Sequence, residues 1–501
     1  MSQAKHIFQQ STPSILNRAV YPAYERNLQE RYLQTLLTNT LGNTVYANNR
    51  ELLIEATGLH QEMSELDPEF MAKALVFARN QGYMRLQPIY GLAILSKVHP
   101  QLFARIFAHI IRIPSDLAEF LTILESIGRG QGGRAVKRQI ALFLNRTSEY
   151  WALKYNGRGR GFNLSDAIVT SHPIPVDVKQ QALFRYLRGH ETNLALIPQI
   201  EAMEKLKKVT TDKDRIKQIQ KGKLPYEIVT SAITPTPKVW AHLLYQMPVF
   251  ALLRHLNTLH RHQVLDYPEH LQYVQQRLTD IEALRKAKIL PFQFAKAYNE
   301  VNHPELRDTL SEAVDLSFAN LPDLPGRTAI FLDISGSMNG EYLQTGAVFA
   351  YALYKKTNGN SLFWLFNTTV HDARPSRRDS IMGQSRQVKA YGGTNTGAPV
   401  KQLTELKEKV DQIIMITDEQ QNVGSAFYTE LKKYRKQINS DTKAFIIDIA
   451  PYQTAMVPPN DRQTFYIYGW SDTVLSYISQ TLKGFNHMQH EVEQMDLDKD
   501  L

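Results

Sequence analysis

The pattern of apolar residues changes at LPDLPG, residues 321–326, and this change most constrains the fold of the 501-residue chain. Before this proline- and glycine-rich stretch, apolar residues recur at helical spacing. After it, short apolar runs alternate with helical segments. A chain of this length also exceeds one ordinary domain. We therefore predict a helical domain over residues 1–325, an α/β domain over residues 326–486 and a polar tail over residues 487–501.

The first part reads as one helix after another from about residue 22 to 321, with no alternation long enough to predict strands. Proline stands at or near many of the predicted helix starts, where its missing N–H costs little. These prolines are Pro68, Pro88, Pro114, Pro175, Pro237, Pro248 and Pro268. Short helices joined by short turns predict paired helices stacked as in HEAT-type repeats. A globular helical domain without a concave surface remains the alternative.

The second part contains near-continuous apolar runs that are typical of buried parallel strands. These runs are TAIFLDIS, SLFWLFN, DQIIMITDE, KAFIIDIA and FYIYGW, and segments such as YLQTGAVFAYALYKK, AFYTELKKYRKQI and DTVLSYISQTL read as helices between or after them. The predicted fold class is therefore α plus α/β, with a doubly wound, Rossmann-like parallel sheet in the second part. Ligands of such a sheet bind at the carboxyl ends of its strands.

Composition narrows the class of protein. The chain has no cysteine, which excludes disulfides, zinc knuckles and thiol catalysis. No apolar stretch approaches the roughly 20 residues that span a bilayer, and the first residues lack the apolar core of a secretory signal. We expect a soluble, cytoplasmic monomer with no membrane partner. The formal charge of +9 is a modest indication of a polyanionic partner.

Oxygen-bearing side chains follow two of the predicted strands. Asp333, Ser335 and Ser337 alternate at the end of TAIFLDIS, and Asp418 ends the run IIMITD. Thr394 lies between them along the chain, in YGGTNTGAP, where glycines allow a tight turn. Hydroxyl and carboxylate oxygens are hard donors that suit Mg²⁺ better than zinc. These five residues therefore predict a site for Mg²⁺ or another divalent cation; a cation held only for stability, or an empty site, is the alternative.

The same motif argues against an enzyme. Phosphohydrolases of similar topology need a second aspartate two residues after the first, and here that position is Ser335. A phospho-aspartate mechanism would thus lack its general acid and base. The chain also has no G-x-x-x-x-G-K-[ST] loop to hold a nucleotide phosphate. We predict no catalytic residues.

Positive charge concentrates between residues 125 and 190, where eleven Lys and Arg face four Asp and Glu, a net +7. The segment includes GRGQGG (128–133), which matches a dinucleotide-binding pattern but follows a predicted helix instead of the required strand. Arginine with neighbouring Tyr155 and Phe162 suits phosphate contact and base stacking. We predict RNA binding by Arg129, Arg134, Lys137, Arg138, Arg158 and Arg160, with a merely solvated basic face as the alternative.

The two parts together resemble the Ro RNA-binding protein (TROVE) family, and its bacterial-type members in particular, in which a ring of helical repeats joins a von Willebrand factor A domain. The resemblance is carried by VWAHLLYQMPVFALLRHLNTL, KILPFQFAKAY, GGRAVKRQIALFL, VTSHPIP and the Asp-x-Ser-x-Ser loop. It implies a closed ring that admits the single-stranded 3′ ends of misfolded non-coding RNAs, while Y RNA-like RNAs bind outside. Arg134, Lys137 and Arg138 would contact RNA backbone, and His172 would lie near the hole.

The resemblance also bears on the metal loop and on partners. The Asp-x-Ser-x-Ser loop is similar to the metal-ion-dependent adhesion site of A domains, where an acidic group of a partner completes the metal shell. Asn395 stands where relatives often carry an acidic residue, which implies lower metal affinity. Bacterial members are linked with exoribonucleases such as polynucleotide phosphorylase, so the resemblance adds such an enzyme as a partner. The alternative function is a protein-interaction scaffold that acts through the metal site without RNA.

Overall fold

A computed structural model provides the coordinates for most of the chain. It describes residues 13–38, 48–130, 132–155, 161–287, 289, 291–318, 324–357, 360–450, 452–458, 461–469 and 488–498. The predicted helix in DTVLSYISQTL lies outside these residues, as does the end of FYIYGW at Trp470. Among the helices within these ranges, none is both long and apolar enough to cross a membrane.

The described part of the chain up to residue 318 is mainly helical, which confirms the predicted fold class of this part. Proline occupies the first turn of many helices, as predicted. The helices are α1 (Leu28–Thr38), α2 (Asn49–Leu66), α3 (Pro68–Asn80), α4 (Leu86–Val98), α5 (Pro100–Ile110), α6 (Pro114–Ser126), α7 (Gly133–Arg146), α8 (Glu149–Lys154), α9 (Leu164–Ser171), α10 (Val178–Leu187), α11 (Pro198–Leu206), α12 (Asp212–Gly222), α13 (Tyr226–Ala232), α14 (Pro237–Leu244), α15 (Val249–Arg261), α16 (Pro268–Thr279), α17 (Ile281–Ala287), α18 (Pro291–Glu300) and α19 (Pro304–Ser317).

One sequence-based expectation for this part is wrong, because the segment before α1 forms strands. Strand β1 (Ile15–Leu16) pairs antiparallel with β2 (Pro22–Glu25), although PAYE was included in a predicted helix. Strand β2 in turn pairs with β8 (Thr454–Ala455), some 430 residues away in the sequence, with Tyr24 opposite Ala455. A pairing partner at that distance overrides local helical spacing.

The second part forms a six-stranded sheet in the order β5-β4-β3-β6-β7-β9. The strands are β3 (Thr328–Asp333), β4 (Ser361–Phe366), β5 (Val370–Asp372), β6 (Gln412–Thr417), β7 (Lys443–Asp448) and β9 (Thr464–Tyr468). Neighbouring strands are parallel, except that β5 runs antiparallel to β4 at one edge. The predicted doubly wound sheet is therefore confirmed in architecture and corrected in detail, since it is mixed rather than wholly parallel.

Helices cover both faces of the sheet, which explains its apolar strands. They are α20 (Glu341–Lys356), α21 (Ile381–Ser385), α22 (Ala398–Glu405) and α23 (Phe427–Gln437). On one face, Phe331 and Met415 join a core with Leu403 of α22 and Leu431 of α23. The alternate strand residues point to the opposite face, where α20 packs against β3. Strands buried on both faces need no polar alternation.

The chain divides into two compact units whose limits do not coincide with the predicted boundary at residue 325. One unit comprises residues 85–289 and 297–309 and is helical. The other contains the sheet together with residues before 85, including β1, β2 and α1–α3. The sheet unit is therefore assembled from segments near both ends of the sequence.

The predicted polar tail contains a helix, α24 (Met488–Gln494), that contributes to the sheet unit. Met488 and Val492 are buried, and α24 packs against α3 and α1. The Lys73 ammonium of α3 donates to the Glu493 carbonyl at 2.7 Å. Two apolar side chains four residues apart give this short helix one buried face.

Candidate functional site

The carboxyl ends of β3 and β6 lie side by side at the point where the order of the sheet reverses. From β3 the chain passes to β4 on one side, whereas β6 pairs with β3 on the other. Ligand sites of doubly wound sheets occur at such switch points. Asp333 ends β3, and Asp418 directly follows β6, so both predicted carboxylates lie at this edge.

The Asp-x-Ser-x-Ser loop is ordered by its own hydrogen bonds. The backbone N–H of Ser335 donates to Asp333 Oδ1 at 2.8 Å, and the Thr417 hydroxyl donates to Asp333 Oδ2 at 2.7 Å. The hydroxyl oxygens of Ser335 and Ser337 are 3.2 Å apart. All of these side chains are buried, so the loop presents a preformed cluster of oxygen atoms.

The loop that carries Thr394 is fastened to the end of β3. The Tyr391 N–H donates to the Ile334 carbonyl at 2.8 Å, and the Gly336 N–H donates to the Gly392 carbonyl at 3.0 Å. A positive φ of +80° at Gly392 permits this turn. Thr394 itself is buried, and its N–H donates to the Asn422 side-chain oxygen at 2.9 Å. The loops thus bring together the three predicted segments of the site.

The two carboxylates lie in a buried environment that disfavours their charge. Burial raises the pKa of Asp333 to about 6. Burial, with the nearby charge of Asp333, raises the pKa of Asp418 to about 7. Asp418 Oδ2 is buried and has no hydrogen-bond partner among the described residues. A divalent cation would supply that partner and favour the ionised form of both groups.

The donor set is of the type that suits a hard cation with other ligands completing its shell. It consists of two carboxylates and three hydroxyls, and nowhere in the described ranges do three or more His, Cys, Asp or Glu side chains gather as metal ligands. Oxygen donors of this kind suit Mg²⁺, which usually keeps other ligands such as water. The arrangement of Asp333, Ser335, Ser337, Thr394 and Asp418 is thus compatible with the predicted cation site.

Two asparagines that sequence analysis did not identify hold the loops in place. Asn367, just after β4, is buried and donates to the Tyr391 carbonyl at 3.1 Å, and its own carbonyl accepts from the Asn395 N–H at 2.8 Å. Asn422 binds both the N–H and the carbonyl of Thr394. Asn367 could have been found from its place at the end of the neighbouring strand, since all strand ends meet at this edge.

The segment before α1 also contacts the loop after β6, which sequence analysis did not predict. The Arg26 guanidinium pairs with Glu419 at 2.6 Å and with Asp448 at 2.9 Å, and all three side chains are buried. Nearby, Asn17 donates to the Gln421 carbonyl at 2.8 Å. Glu419 adjoins Asp418, so residues from the start of the chain fix the position of a candidate ligand.

The predicted RNA-binding residues fall into distinct groups in the helical unit. On α7, the side chains of Val136, Ile140 and Leu144 are buried. Away from this buried side, Arg134 and Arg138 are exposed and Lys137 is half-buried. These three cations make no hydrogen bond or ion pair with any residue that the structure describes. They form a basic face, defined here as Arg134, Lys137 and Arg138, that is open to an anionic ligand.

The other predicted residues are placed differently. Arg129 donates to the Ser96 carbonyl at 3.0 Å, which ties its guanidinium to α4. His172 is exposed and ends α9 in a left-handed conformation with φ +47°. Arg158 and Arg160 lie outside the described residues. The structure therefore does not bring all the predicted residues into one cluster.

The GRGQGG stretch has a structural explanation, in agreement with the sequence argument against a nucleotide loop. It follows α6, not a strand, and leads into α7. Gly132 has φ +79°, and a Cβ atom there would lie 2.6 Å from the Val136 side chain. Only glycine allows this turn to pack so closely against the helix it begins.

Family models match within both units. The model described as the Ro60 vWA domain matches residues 327–481, and the TROVE domain model matches residues 223–317. The chain thus contains a region similar to the Ro60 vWA domain and a region similar to the TROVE domain. The TROVE match does not extend to the basic face on α7.

Individual relatives extend the similarity over a longer stretch. The chain is 23% identical to "RNA-binding protein RO60" of Deinococcus radiodurans over 510 aligned residues, which cover 94% of this chain and 95% of the relative. It is 24% identical to "RNA-binding protein RO60" of Caenorhabditis elegans over 57% of this chain and 48% of that protein. The crystal structure of the Deinococcus radiodurans Ro (Rsr) protein matches with a TM-score of 0.68 at 20% identity, covering 91% of this chain and all of that one. The two thus share a fold.

Proposed function

We propose that this chain is a Ro-family protein that acts as a cytoplasmic RNA-binding scaffold without catalytic activity. It binds the single-stranded 3′ ends of misfolded or structured non-coding RNAs, and it also binds small Y RNA-like RNAs. A divalent cation, Mg²⁺ in the first instance, occupies the oxygen cluster of the sheet unit. An acidic group of a protein partner, such as an exoribonuclease of the polynucleotide phosphorylase type, completes its shell, and the chain acts as a monomer in this assembly.

The observation that carries the RNA proposal is the basic face of α7. Three cationic side chains lie within two turns of one helix and have no acidic partner among the described residues. Two other basic side chains of the unit are neutralised by ion pairs, Lys154–Glu227 and Lys179–Glu149. Unpaired cations aligned on a helix attract phosphates and release their counterions. The names of the two relatives support the same class of ligand.

The cation proposal is supported by the buried, unpartnered Oδ2 of Asp418. The cluster supplies only two carboxylates, so an acidic group from outside would add both charge and a further oxygen ligand. This observation alone also favours a second function, in which the chain is a protein-interaction scaffold and the basic face has no ligand. The two functions differ in whether RNA is retained.

The test is a titration of the purified full chain into a structured RNA, with and without a single-stranded 3′ tail, at several salt concentrations. We expect tighter binding of the tailed RNA, with log affinity falling as log salt rises by about 0.7 for each phosphate contact to a single strand. Replacement of Arg134, Lys137 and Arg138 by alanine should weaken binding and reduce that slope by about 2.

A matched control removes equal charge elsewhere. Lys213, Lys217 and Lys221 lie on one exposed side of α12, and their triple replacement by alanine should leave the salt slope within error. Equal losses in both triple variants would mean that only net charge matters. Absence of RNA binding by the unaltered chain at moderate salt would reject the RNA proposal and leave the protein-interaction function.

A further inference from the structure

A cavity of about 530 Å³ lies between α5, α7 and α8 of the helical unit. Its wall includes the buried side chains of Phe107 and Ile111, and also Leu142 and Trp151, which are 42% and 38% exposed. A volume of this size is typical of sites for small organic groups. The cavity shares α7 with the basic face but lies on another side of that helix.

The charged side chains that line the cavity are all positive. Arg112 and Arg146 line it, and none of the described residues in its wall carries a carboxylate. The Arg146 side chain makes no hydrogen bond or ion pair within the described part of the chain. An apolar wall beside two guanidinium groups is complementary to a ligand with a flat hydrophobic part and an anionic part. Planar guanidinium groups are particularly suited to phosphate.

The Trp151 indole is held by neighbouring aromatic rings in an orientation that allows it to stack against such a ligand. Its ring is stacked on Tyr155, with centroids 5.5 Å apart and planes at 20°, and it meets Tyr150 edge-on at 5.3 Å. The neighbouring rings restrict the indole, so that little side-chain entropy is lost when a ligand binds. Nucleobases stack on exposed aromatic side chains of this kind in single-strand-binding proteins.

The position of the cavity relates it to the basic face. With 3.6 residues per turn, Gln139, Leu142 and Arg146 share one side of α7, and Arg134 and Arg138 lie on the adjacent side. An RNA strand whose phosphates contact the basic face therefore has a short path to the cavity around the same helix. A free nucleotide would gain nothing from this adjacency, which favours a nucleotide that is part of a strand.

We propose that the cavity receives one unstacked nucleotide of a single-stranded RNA, with its base against Trp151 and its phosphate at Arg146 and Arg112. This inference rests on the proposed function, because it takes RNA as the ligand. It adds a position at which the base itself contributes to binding, whereas the basic face contacts only the backbone. The cavity thereby favours unpaired RNA over a duplex, whose bases are stacked in the helix.

The experiment tests whether the effect of removing one RNA base depends on the indole of Trp151. A tailed RNA is prepared with an abasic nucleotide at each tail position in turn, and each RNA is titrated into the unaltered chain and into Trp151→Ala. In the unaltered chain, one abasic position should lower affinity about tenfold. In Trp151→Ala, the intact RNA should already show that loss, and the same abasic position should cause no further change.

Further variants distinguish a loss of base contact from misfolding of the protein. Trp151→Phe keeps an aromatic ring and should retain most of the base effect, and Arg146→Gln should weaken binding and reduce the salt slope by about 0.7. Tyr267→Ala removes another exposed aromatic residue of the same unit and should change no position selectively. AMP and UMP are titrated alone as probes of a free-nucleotide site.

The possible results separate this inference from the proposed function. If the tailed RNA binds through Arg134, Lys137 and Arg138 but tolerates every abasic substitution equally, the cavity inference is wrong and the RNA-binding function stands. Saturable micromolar binding of AMP or UMP without coupling between Trp151 and any tail position would also overturn it, in favour of a metabolite site. Failure of the tailed RNA to bind at all would reject both proposals.

Discussion

Arg26 and Glu419 form a fully buried ion pair, with 2.6 Å between guanidinium nitrogen and carboxylate oxygen, although 393 residues separate them in the sequence. Asp448 Oδ2 lies 2.9 Å from the same guanidinium nitrogen, and the centre of the Tyr466 ring lies 4.1 Å from the guanidinium carbon. Glu419 has a positive φ of +58° and follows the candidate ligand Asp418. The pair therefore holds a strained backbone position next to the candidate cation site.

We expect Arg26→Met to destabilise the sheet unit by about 3–5 kcal/mol, because it leaves two buried carboxylates without their cation. Urea unfolding followed by tryptophan fluorescence would measure the loss. Lys401→Met is the control, since its pair with Glu405 is exposed and about 3.7 Å long, and an exposed pair contributes about 0–1 kcal/mol. Equal losses in the two variants would contradict the structural role of Arg26.

Mg²⁺ should stabilise the chain through the oxygen cluster. Because a ligand that binds only the folded state raises its stability in proportion to RT ln(1 + [L]/Kd), the melting temperature should rise with Mg²⁺ concentration. Asp418→Asn keeps the shape and the Oδ1 atom that accepts from the Gln420 N–H, but removes the charge, and should abolish the rise. Asp441→Asn, at an exposed position, should behave like the unaltered chain. A Mg²⁺ response that survives Asp418→Asn would place the cation elsewhere.

Without divalent cations, we expect stability to fall as pH rises from about 5 to 8. The pKa of Asp333 is raised to about 6 and that of Asp418 to about 7, so the folded chain binds protons that the unfolded chain has already released. Protonation therefore favours folding in this range, and the contribution disappears as pH passes through the folded-state values. Asp418→Asn should be the more stable protein at pH 8, by an amount on the order of 1 kcal/mol.

Urea midpoints of both proteins in EDTA from pH 5 to 8 would test this pH dependence. The difference between the two proteins is the quantity of interest, because other groups titrate equally in both. A difference that stays constant with pH would show that Asp418 ionises normally in the folded chain. Saturating Mg²⁺ should reverse the order of stability at pH 8, since the cation then favours the carboxylate.

Gly132→Ala should destabilise the helical unit by about 1–3 kcal/mol, since the residue has φ +79° and its new methyl group would meet Val136 at 2.6 Å. The start of α7 would shift, so RNA affinity should also decrease. Gly58→Ala is the contrasting variant: this glycine lies within α2, and its Cβ would touch nothing within 4 Å. That change should stabilise by about 0.5–1 kcal/mol, and thermal unfolding would distinguish the two outcomes.

The fold class and the location of Asp333 and Asp418 at one edge of the sheet were predictable from local sequence. The strands around Phe331 and Met415 are apolar because both faces are covered, and Asp333 and Asp418 follow strands whose ends must meet in a parallel sheet. The predicted helix over PAYE was wrong because Tyr24 pairs with Ala455, a contact that no local period encodes. For the same reason Arg26 could not be assigned to the network around Glu419.

Prediction of the candidate RNA-binding residues was limited in another way. Composition located the charge correctly on and around α7, but only side-chain contacts separate Arg134, whose guanidinium is open to a ligand, from Arg129, which is bound to Ser96. The cavity near Trp151 was not foreseen at all, because its walls form only where α5, α7 and α8 pack together, and no local sequence pattern encodes that packing.

The pairing of β2 with β8 has a consequence for the order in which the chain is made. A ribosome releases residues 22–25 long before residues 454–455, so the first strands must wait while the helical unit, encoded between them, folds. Domains completed early during synthesis generally fold as units, and we expect this one to do so. A fragment that begins at residue 326 would lack β2, α1 and the Arg26 guanidinium, and nascent-chain stability should therefore increase sharply only after residue 468 has emerged.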